Sequence, residues 1–264
     1  MSRRGLGDLL AIALMILLFG AVYLLPPDTS LAEVRRAGRI VACVPEAYPP
    51  LVTGDPAHPG LDVELLEAAA GRIGVELALA LVPEMGRDFN PRAWHVTRAQ
   101  CQVLAGGVVD TPATRSFLDV TRPHAETGWM AVALGAIPPL EGARVGVLVG
   151  TSGIDRLALS RTLRAAGASA GIVGSADELA DRLAGGRFDL GIGEALVVPG
   201  IAAGHGWTAA PLAALPGRYP LVFGLWKGDL TLKRALDRAL GALEANGTTG
   251  RLGAAYLGPD TVSG

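Results

Sequence analysis

The chain has 264 residues, of which 50% are hydrophobic and 18% are charged, and its formal net charge is −2. This length is enough for one large domain or two small domains with hydrophobic cores. The nearly balanced charge excludes the strongly basic surface typical of nucleic-acid-binding proteins, so no nucleic acid is expected as a partner.

An apolar segment at residues 9–25 follows two arginines, Arg3 and Arg4, near the start of the chain. A positive flank before an uncharged apolar run is typical of a signal peptide or of a short membrane anchor. The run is long for a cleaved signal, and no clear cleavage site follows it. We predict an uncleaved anchor in the inner membrane, with the rest of the chain on the periplasmic side. The alternative is a cleaved signal and a free periplasmic protein.

Strand and helix patterns alternate in the first half of the chain. Predicted helices cover residues 31–37 and 60–74, and predicted strands cover residues 39–44, 75–82 and 103–109. The third strand is interrupted by Gly106 and Gly107, which lets another group approach the backbone closely. Alternation of this kind predicts a parallel sheet.

A polar turn follows the third strand and leads to Arg115. Thr111 is a candidate N-cap, and Pro112 suits the first position of a short helix. An arginine in a first helical turn is not favoured by the helix dipole, but its guanidinium can hold a planar anion through two hydrogen bonds. We hypothesise that Arg115 binds a small carboxylate at the end of the strand. The alternative is a surface salt bridge.

The alternation restarts in the second half of the chain. Predicted strands cover residues 126–135, 143–150, 171–174, 188–196, 207–212 and 219–226. Predicted helices cover residues 155–166, 175–186, 196–204, 230–245 and 249–256. Two α/β sets result, and the last two helices are left over to pack elsewhere.

The chain has two cysteines, Cys43 and Cys101. They form no CxxC pair and do not cluster with the histidines, so neither a metal site nor a cofactor is expected. In an exported protein the two cysteines can form one disulfide or remain as two buried thiols, and the sequence leaves both open.

Four segments resemble the bacterial extracellular solute-binding proteins of family 3, the amino-acid-type receptors of ABC importers. They are the helix at residues 60–73, the turn at residues 111–124, the strand end at residues 145–153 and the helices at residues 223–252. The resemblance covers about residues 31–257. It implies a type II periplasmic binding protein-like fold, with two parallel-sheet lobes joined by two hinge strands and a ligand bound between the lobes.

The resemblance also implies domain limits. Lobe 1 comprises residues 31–127 and 223–257, and lobe 2 comprises residues 128–222. The anchor and linker occupy residues 1–30, and residues 258–264 form a tail.

The resemblance implies a ligand site between the lobes. Arg115 falls at the carboxylate-binding arginine, and Thr151, with the amides of Ser152 and Gly153, falls at a second carboxylate-binding group. Glu194 falls where an aspartate usually binds the ligand ammonium, and Tyr48 falls at an aromatic that packs on the ligand. Gly106 and Gly107 would offer backbone groups.

The chain departs from the family pattern at several of these positions. The segment at residues 110–115 is one residue longer than usual, which shifts Arg115 along its helix and brings Asp110 near the cleft mouth. Pro45 replaces a second ammonium-binding aspartate, and Leu51 replaces a phenylalanine. Glu194 is one methylene longer than aspartate. If these changes act together, α-amino-acid binding is weakened and a plain carboxylate or an unusual amine also becomes compatible with the site.

Three functions are compatible with the resemblance. The first is a membrane-tethered receptor that delivers an amino acid or organic acid to an ABC permease. The second is an accessory protein of a periplasmic quinoprotein dehydrogenase. The third is an enzyme related to cyclohexadienyl dehydratases, with Glu46 or Glu194 as the acid. No nucleophile–base pair is evident and residues 150–153 lack GxSxG spacing, so we do not expect an enzyme.

Overall fold

Strands and helices alternate through both halves of the chain, as the sequence predicts. The computed structural model describes residues 12–17, 20, 27–86, 94–148 and 154–258. The helices are α1 Ser30–Ala37, α2 Leu61–Ile73, α3 Pro112–Phe117, α4 Arg156–Ala165, α5 Ala176–Ala184, α6 Val198–His205, α7 Leu230–Ala245 and α8 Thr248–Leu257. The strands are β1 Arg39–Val44, β2 Glu76–Leu81, β3 Val103–Leu104, β4 Leu118–Val120, β5 Ala125–Ala133, β6 Arg144–Leu148, β7 Ser169–Val173, β8 Leu190–Glu194, β9 Thr208–Pro211, β10 Arg218–Leu221 and β11 Gly224–Trp226.

The first sheet has the strand order β2–β1–β3–β11–β4. Its strands β2, β1 and β3 are parallel, and β11 runs antiparallel to β3 and β4. Strand β3 is shorter than the predicted strand because Gly106 and Gly107 take positive φ angles of 87° and 93° and turn the chain out of the sheet. A side chain at either position would also collide with the loop after β1, since a Cβ on Gly106 would lie 2.4 Å from Pro45.

The second sheet has the order β10–β5–β8–β6–β7, and β9 also pairs with β5. Strand β5 pairs within this sheet along its length: its first residues pair with β10, and its last residues pair with β8 and β9. The predicted strand at residues 219–226 is divided, because β10 belongs to the second sheet and β11 to the first. The chain therefore crosses between the sheets at two places.

The two crossing segments are hydrogen-bonded to each other. The Thr121 amide donates to the Phe223 carbonyl at 3.0 Å, and the Phe223 amide donates to the Thr121 hydroxyl at 3.0 Å. Next to them, the His124 amide donates to the Leu221 carbonyl at 3.0 Å. These bonds satisfy backbone groups that would otherwise be unpaired where the chain leaves one sheet for the other.

The two helices that the pattern left over, α7 and α8, return to the first sheet. Leu232, Leu236 and Leu240 of α7 are buried in one core with Leu65 and Leu66 of α2. The spacing of the α7 leucines explains this placement, because residues three and four positions apart share one helix face. Helix α7 thus completes the core of the first half, while Tyr256 and Leu257 of α8 pack against a buried cluster that contains residues of both halves.

The segment before α1 is attached to the start of α7 through Asp28. Its carboxylate accepts hydrogen bonds from the Ser30 amide at 2.9 Å and from the Thr231 amide at 2.5 Å. Burial alone would raise the pKa of Asp28, but these hydrogen bonds outweigh it and lower the pKa to about 2. The charged carboxylate therefore stabilises the fold above about pH 4, and this contribution is lost as the pH falls toward 2.

We expect Asp28→Ala to lower the free energy of unfolding at pH 7. Because the carboxylate is partly exposed and screened by solvent, the expected loss is about 1 kcal/mol. The variant should also lose less stability than the wild type between pH 4 and pH 2. Urea unfolding at several pH values measures both effects, and an unchanged acid sensitivity would contradict the assignment.

The predicted membrane segment at residues 9–25 lies mostly outside the described residues. Residues 12–17 are helical, and the large apolar side chains among them are exposed. Among the helices that the structure describes, none combines the length and apolar character needed to cross a membrane.

Candidate functional site

The two sheets meet at a hydrogen bond between Tyr48 and Glu194. Tyr48 lies in the proline-rich loop after β1, and Glu194 is the last residue of β8. The Tyr48 hydroxyl donates to Glu194 Oε2 at 2.5 Å, and both residues are buried. Ligand sites in α/β proteins commonly lie at strand ends of this kind. This contact brings together two of the residues that the sequence predicts for the site.

Apolar side chains from both halves pack with Tyr48 in one buried cluster. Leu51, Leu61 and Val109 of the first half belong to one buried cluster with side chains of the second half. The latter include Trp129, Val147, Ile154, Leu196 and Leu221. Polar interactions are strengthened in such surroundings, because little water is present to screen them.

Gly106 and Gly107 direct their amides to a buried carboxylate. Asp62 Oδ2 accepts hydrogen bonds from the Gly106 amide at 2.8 Å and from the Gly107 amide at 3.3 Å. Asp62 Oδ1 lies 2.8 Å from Nε2 of His124, whose ring stacks on Phe223 with a centroid distance of 4.3 Å. The backbone groups expected to face a ligand are thus bound within the protein.

Sequence reasoning missed the network of Asp62 and His124. The signal was present, because Asp62 belongs to the helix that carries the family resemblance and follows Gly60 at the helix start. Nothing in the periodicity distinguishes a buried acid there from an acid that favours the helix N-terminus. His124 lies far from Asp62 in sequence, and the fold alone brings them together.

Arg115 does not have the predicted inward orientation. Its guanidinium makes two hydrogen bonds to the Asp110 carboxylate, with Nε–Oδ1 at 2.5 Å and Nη2–Oδ2 at 2.6 Å. These hydrogen bonds raise the pKa of Arg115. The Arg115 side chain is 61% exposed, so the guanidinium has the surface salt bridge that the sequence left as the alternative.

The helical position of Arg115 explains its exposure. Thr114, the preceding residue, is the buried residue of α3. Successive residues of an α-helix point about 100° apart, so the residue after a buried one is turned toward solvent. Helix α3 therefore has threonine on its inner face and arginine on its outer face.

The predicted second carboxylate-binding group comprises Thr151 and the amides of Ser152 and Gly153. Thr151 and Ser152 lie outside the described residues, and their roles remain predictions. The helix that follows is α4, and its N-terminus is capped by the Asp155 side chain, which accepts from the Ala158 amide at 2.8 Å. One amide of the first turn of this helix, that of Ala158, is therefore already engaged by an acid of the chain itself.

Cys43 and Cys101 form a disulfide in which the Cα atoms are 5.6 Å apart. Both residues are fully buried. The bond joins β1 to the segment just before β3, so it fixes the strand ends that carry the Tyr48 loop and the glycine turn. Of the two alternatives that the sequence left open, the structure has the disulfide.

Two α/β sheets connected by two crossing segments, with buried polar residues between them, define the class of type II periplasmic binding proteins. The chain belongs to the bacterial extracellular solute-binding proteins, family 3, whose profile matches residues 40–259. The resemblance drawn from four short segments is therefore confirmed. A comparison with curated protein sequences finds no match.

Solved structures of amino-acid-binding proteins share this fold at low sequence identity. A Streptococcus pneumoniae substrate-binding protein of an ABC uptake transporter, with bound histidine, has a TM-score of 0.69 at 16% identity and covers 90% of this chain and 99% of its own. An ancestral arginine-binding protein bound to arginine has a TM-score of 0.64 at 20% identity, covering 84% and 99%. The ancestral amino acid-binding protein AncCDT-1 is described as a precursor of cyclohexadienyl dehydratase. It has a TM-score of 0.64 at 18% identity and covers 86% of this chain and 99% of its own.

Proposed function

We propose that this protein is a periplasmic solute-binding protein that closes two lobes around a small, amine-bearing solute and delivers it to the permease of an ABC importer. The lobes are built on the first and second sheets, and residues 9–25 tether the protein to the inner membrane. The observation that carries the proposal is the buried Glu194 carboxylate, which lies 2.5 Å from the Tyr48 hydroxyl of the other lobe.

The chemistry of Glu194 favours an amine as the recognised group. A carboxylate removed from water is costly unless it is paired, and a cation is its strongest partner. An ammonium or guanidinium can replace the Tyr48 hydroxyl at Glu194 or bind beside it. Structures of similar fold are described as bound to arginine and histidine, so amino acids with cationic side chains are the first class to test. Thr151 and Ser152 are the candidates for holding the carboxylate end of such a solute.

Calorimetry of the full chain against amino acids, polyamines and organic acids tests this function. We expect an amine-bearing compound to bind, and we expect Glu194→Gln to weaken its binding by about 10- to 150-fold. That range corresponds to the loss of one hydrogen bond to a charged group, about 1.5–3 kcal/mol. Arg115→Ala should change the affinity little, because its guanidinium is exposed and paired with Asp110.

Glu141→Gln is the matched control, because Glu141 is an exposed glutamate on the connection that leads into β6. It should bind like the wild type. If no compound gives a heat of binding, the receptor proposal is wrong. Binding of plain organic acids that depends on Arg115 would instead show that the guanidinium reaches the solute and that the amine class is mistaken.

A second candidate is an accessory protein of a periplasmic quinoprotein dehydrogenase. It is favoured by the direct Tyr48–Glu194 contact and by the buried apolar cluster that contains Tyr48, because these contacts already engage Glu194 and join the two halves. This candidate predicts no small-molecule binding and a gene neighbourhood with a dehydrogenase and cytochrome rather than a permease and ATPase. For catalysis, the similar structure linked to cyclohexadienyl dehydratase is itself described as amino acid-binding, so we propose binding rather than an enzymatic reaction.

A further inference from the structure

Two buried polar side chains on β5 have hydrogen-bonding atoms that are not used within the fold. Thr127 is 2% exposed and Trp129 is 3% exposed. Among the residues that the structure describes, the Thr127 hydroxyl oxygen and Trp129 Nε1 are buried atoms without a hydrogen-bond partner. Most buried polar atoms of folded proteins are hydrogen-bonded, and leaving one unpaired costs free energy. The fold alone therefore does not account for these two atoms.

Both side chains lie on the same face of the second sheet as Glu194. Residues two positions apart in a strand point to the same side of the sheet, so Thr127 and Trp129 share a face of β5. Trp129 is paired with Glu194 in the antiparallel register of β5 and β8. Side chains of directly opposite residues also share a face, with their Cβ atoms about 4.5–5.5 Å apart. The two unpaired donors and the buried carboxylate therefore form one group.

This face of β5 belongs to the buried region that the two lobes share. Trp129 is a member of the buried cluster that contains Tyr48 of the first lobe, whereas Val132, on the opposite face of β5, belongs to a different cluster. Thr127 is paired with Tyr219 of β10, the strand that leads into the second crossing. The donors therefore lie on the side of the second sheet that meets the first lobe.

The donors on β5 are neutral, and no lysine or arginine is buried with them in the part of the chain that the structure describes. The buried charged residues there are the acids Asp62, Glu194 and Asp229. Arg115 is exposed and paired with Asp110. A solute cation at Glu194 balances the buried negative charge. An oxygen atom of the same solute can then accept hydrogen bonds from an indole N–H and a hydroxyl, which are both donors.

We propose that Thr127 and Trp129 bind an oxygen acceptor of the solute whose amine binds Glu194. This inference rests on the function proposed above and narrows the class of solute. Because the two donors lie on the same face as Glu194 and close to it, the acceptor oxygen is within a few bonds of the amine, as in an amino amide or an amino acid. Amines without such an oxygen bind more weakly.

Calorimetry of the full chain with L-argininamide and agmatine tests the role of the two donors. The compounds share an amine and a guanidinium, but agmatine lacks the amide group of L-argininamide. We expect L-argininamide to bind about tenfold more tightly, because its carbonyl oxygen accepts hydrogen bonds that agmatine cannot accept. Trp129→Phe with Thr127→Val should remove this difference by weakening the binding of L-argininamide and leaving that of agmatine unchanged.

Trp207→Phe with Thr208→Val is the matched control, because Thr208 is exposed and Trp207 is only partly buried. It should keep the tenfold difference. Urea unfolding gives a second measurement: Thr127→Val should not lower the midpoint, because valine has the shape of threonine and removes an unpaired hydroxyl. A lower midpoint would show that the hydroxyl has a partner within the fold and would overturn the proposal.

Failure of this inference is distinguishable from failure of the proposed function. If both compounds bind with equal affinity, or if the tenfold difference persists in the variant of Thr127 and Trp129, the inference is wrong while amine binding stands. If neither compound binds, the inference is wrong together with the amine class proposed for the solute.

Discussion

Replacing Cys43 and Cys101 by alanine is expected to lower the free energy of unfolding by about 2–5 kcal/mol. The disulfide joins residues 58 positions apart, so it closes a long loop that contains α2 and β2. Closing such a loop restricts the unfolded chain, and removing the bond returns that freedom. Urea unfolding of the double variant and of the oxidised wild type, followed by circular dichroism, measures the difference.

The single variants Cys43→Ala and Cys101→Ala provide the control for this prediction. Either change breaks the same bond, so each single variant should lose nearly as much stability as the double variant. Losses that add up across the two positions would show that side-chain packing, and not the covalent link, accounts for the effect. A double variant as stable as the wild type would contradict the prediction outright.

Asp62→Ala is expected to lower the free energy of unfolding by about 3–5 kcal/mol. The carboxylate accepts hydrogen bonds from the amides of Gly106 and Gly107 and lies 2.8 Å from His124 Nε2. Its removal leaves several buried polar groups without their partner, and each such group costs about 1–3 kcal/mol. The free energy of unfolding of Asp62→Asn should lie between that of Asp62→Ala and that of the wild type, because the amide retains one acceptor oxygen.

Glu67→Ala is the matched control for Asp62, because Glu67 is an exposed acid on the same helix. It should change the free energy of unfolding by less than about 0.5 kcal/mol. Hydrogen exchange at Gly106 and Gly107 gives an independent measurement, and exchange should become faster in Asp62→Ala. Unchanged exchange at both glycines would mean that their amides do not depend on Asp62.

The alternation of strands and helices was predictable from the sequence, because apolar periodicity depends only on neighbouring residues. The division of residues 219–226 between two sheets was not predictable from that pattern. A continuous apolar run, such as that around Phe223, has the same sequence pattern whether the strand stays in one sheet or passes from one sheet to the other. The division arises because β10 pairs with β5 of the second sheet, whereas β11 pairs with β3 and β4 of the first sheet.

The candidate site was predictable in its residue types and only partly in its geometry. Tyr48 and Glu194 come together as the strand order requires. For Arg115, one helical position decides between the interior and solvent, and a pattern of residue types does not fix that position when the spacing is unusual. The neighbouring Thr114, a small polar residue with no evident role in the sequence, is the buried residue of α3.

The bond between Tyr48 and Glu194 has a consequence for any solute that enters between the sheets. The Glu194 carboxylate is already hydrogen-bonded to the Tyr48 hydroxyl before a solute binds. The measured affinity of the solute is therefore reduced by competition with that hydroxyl. Compounds able to offer only one neutral donor gain nothing over the phenol they displace. The site therefore discriminates against such compounds without any steric barrier, because only a solute that binds Glu194 more strongly than Tyr48 does gains affinity there.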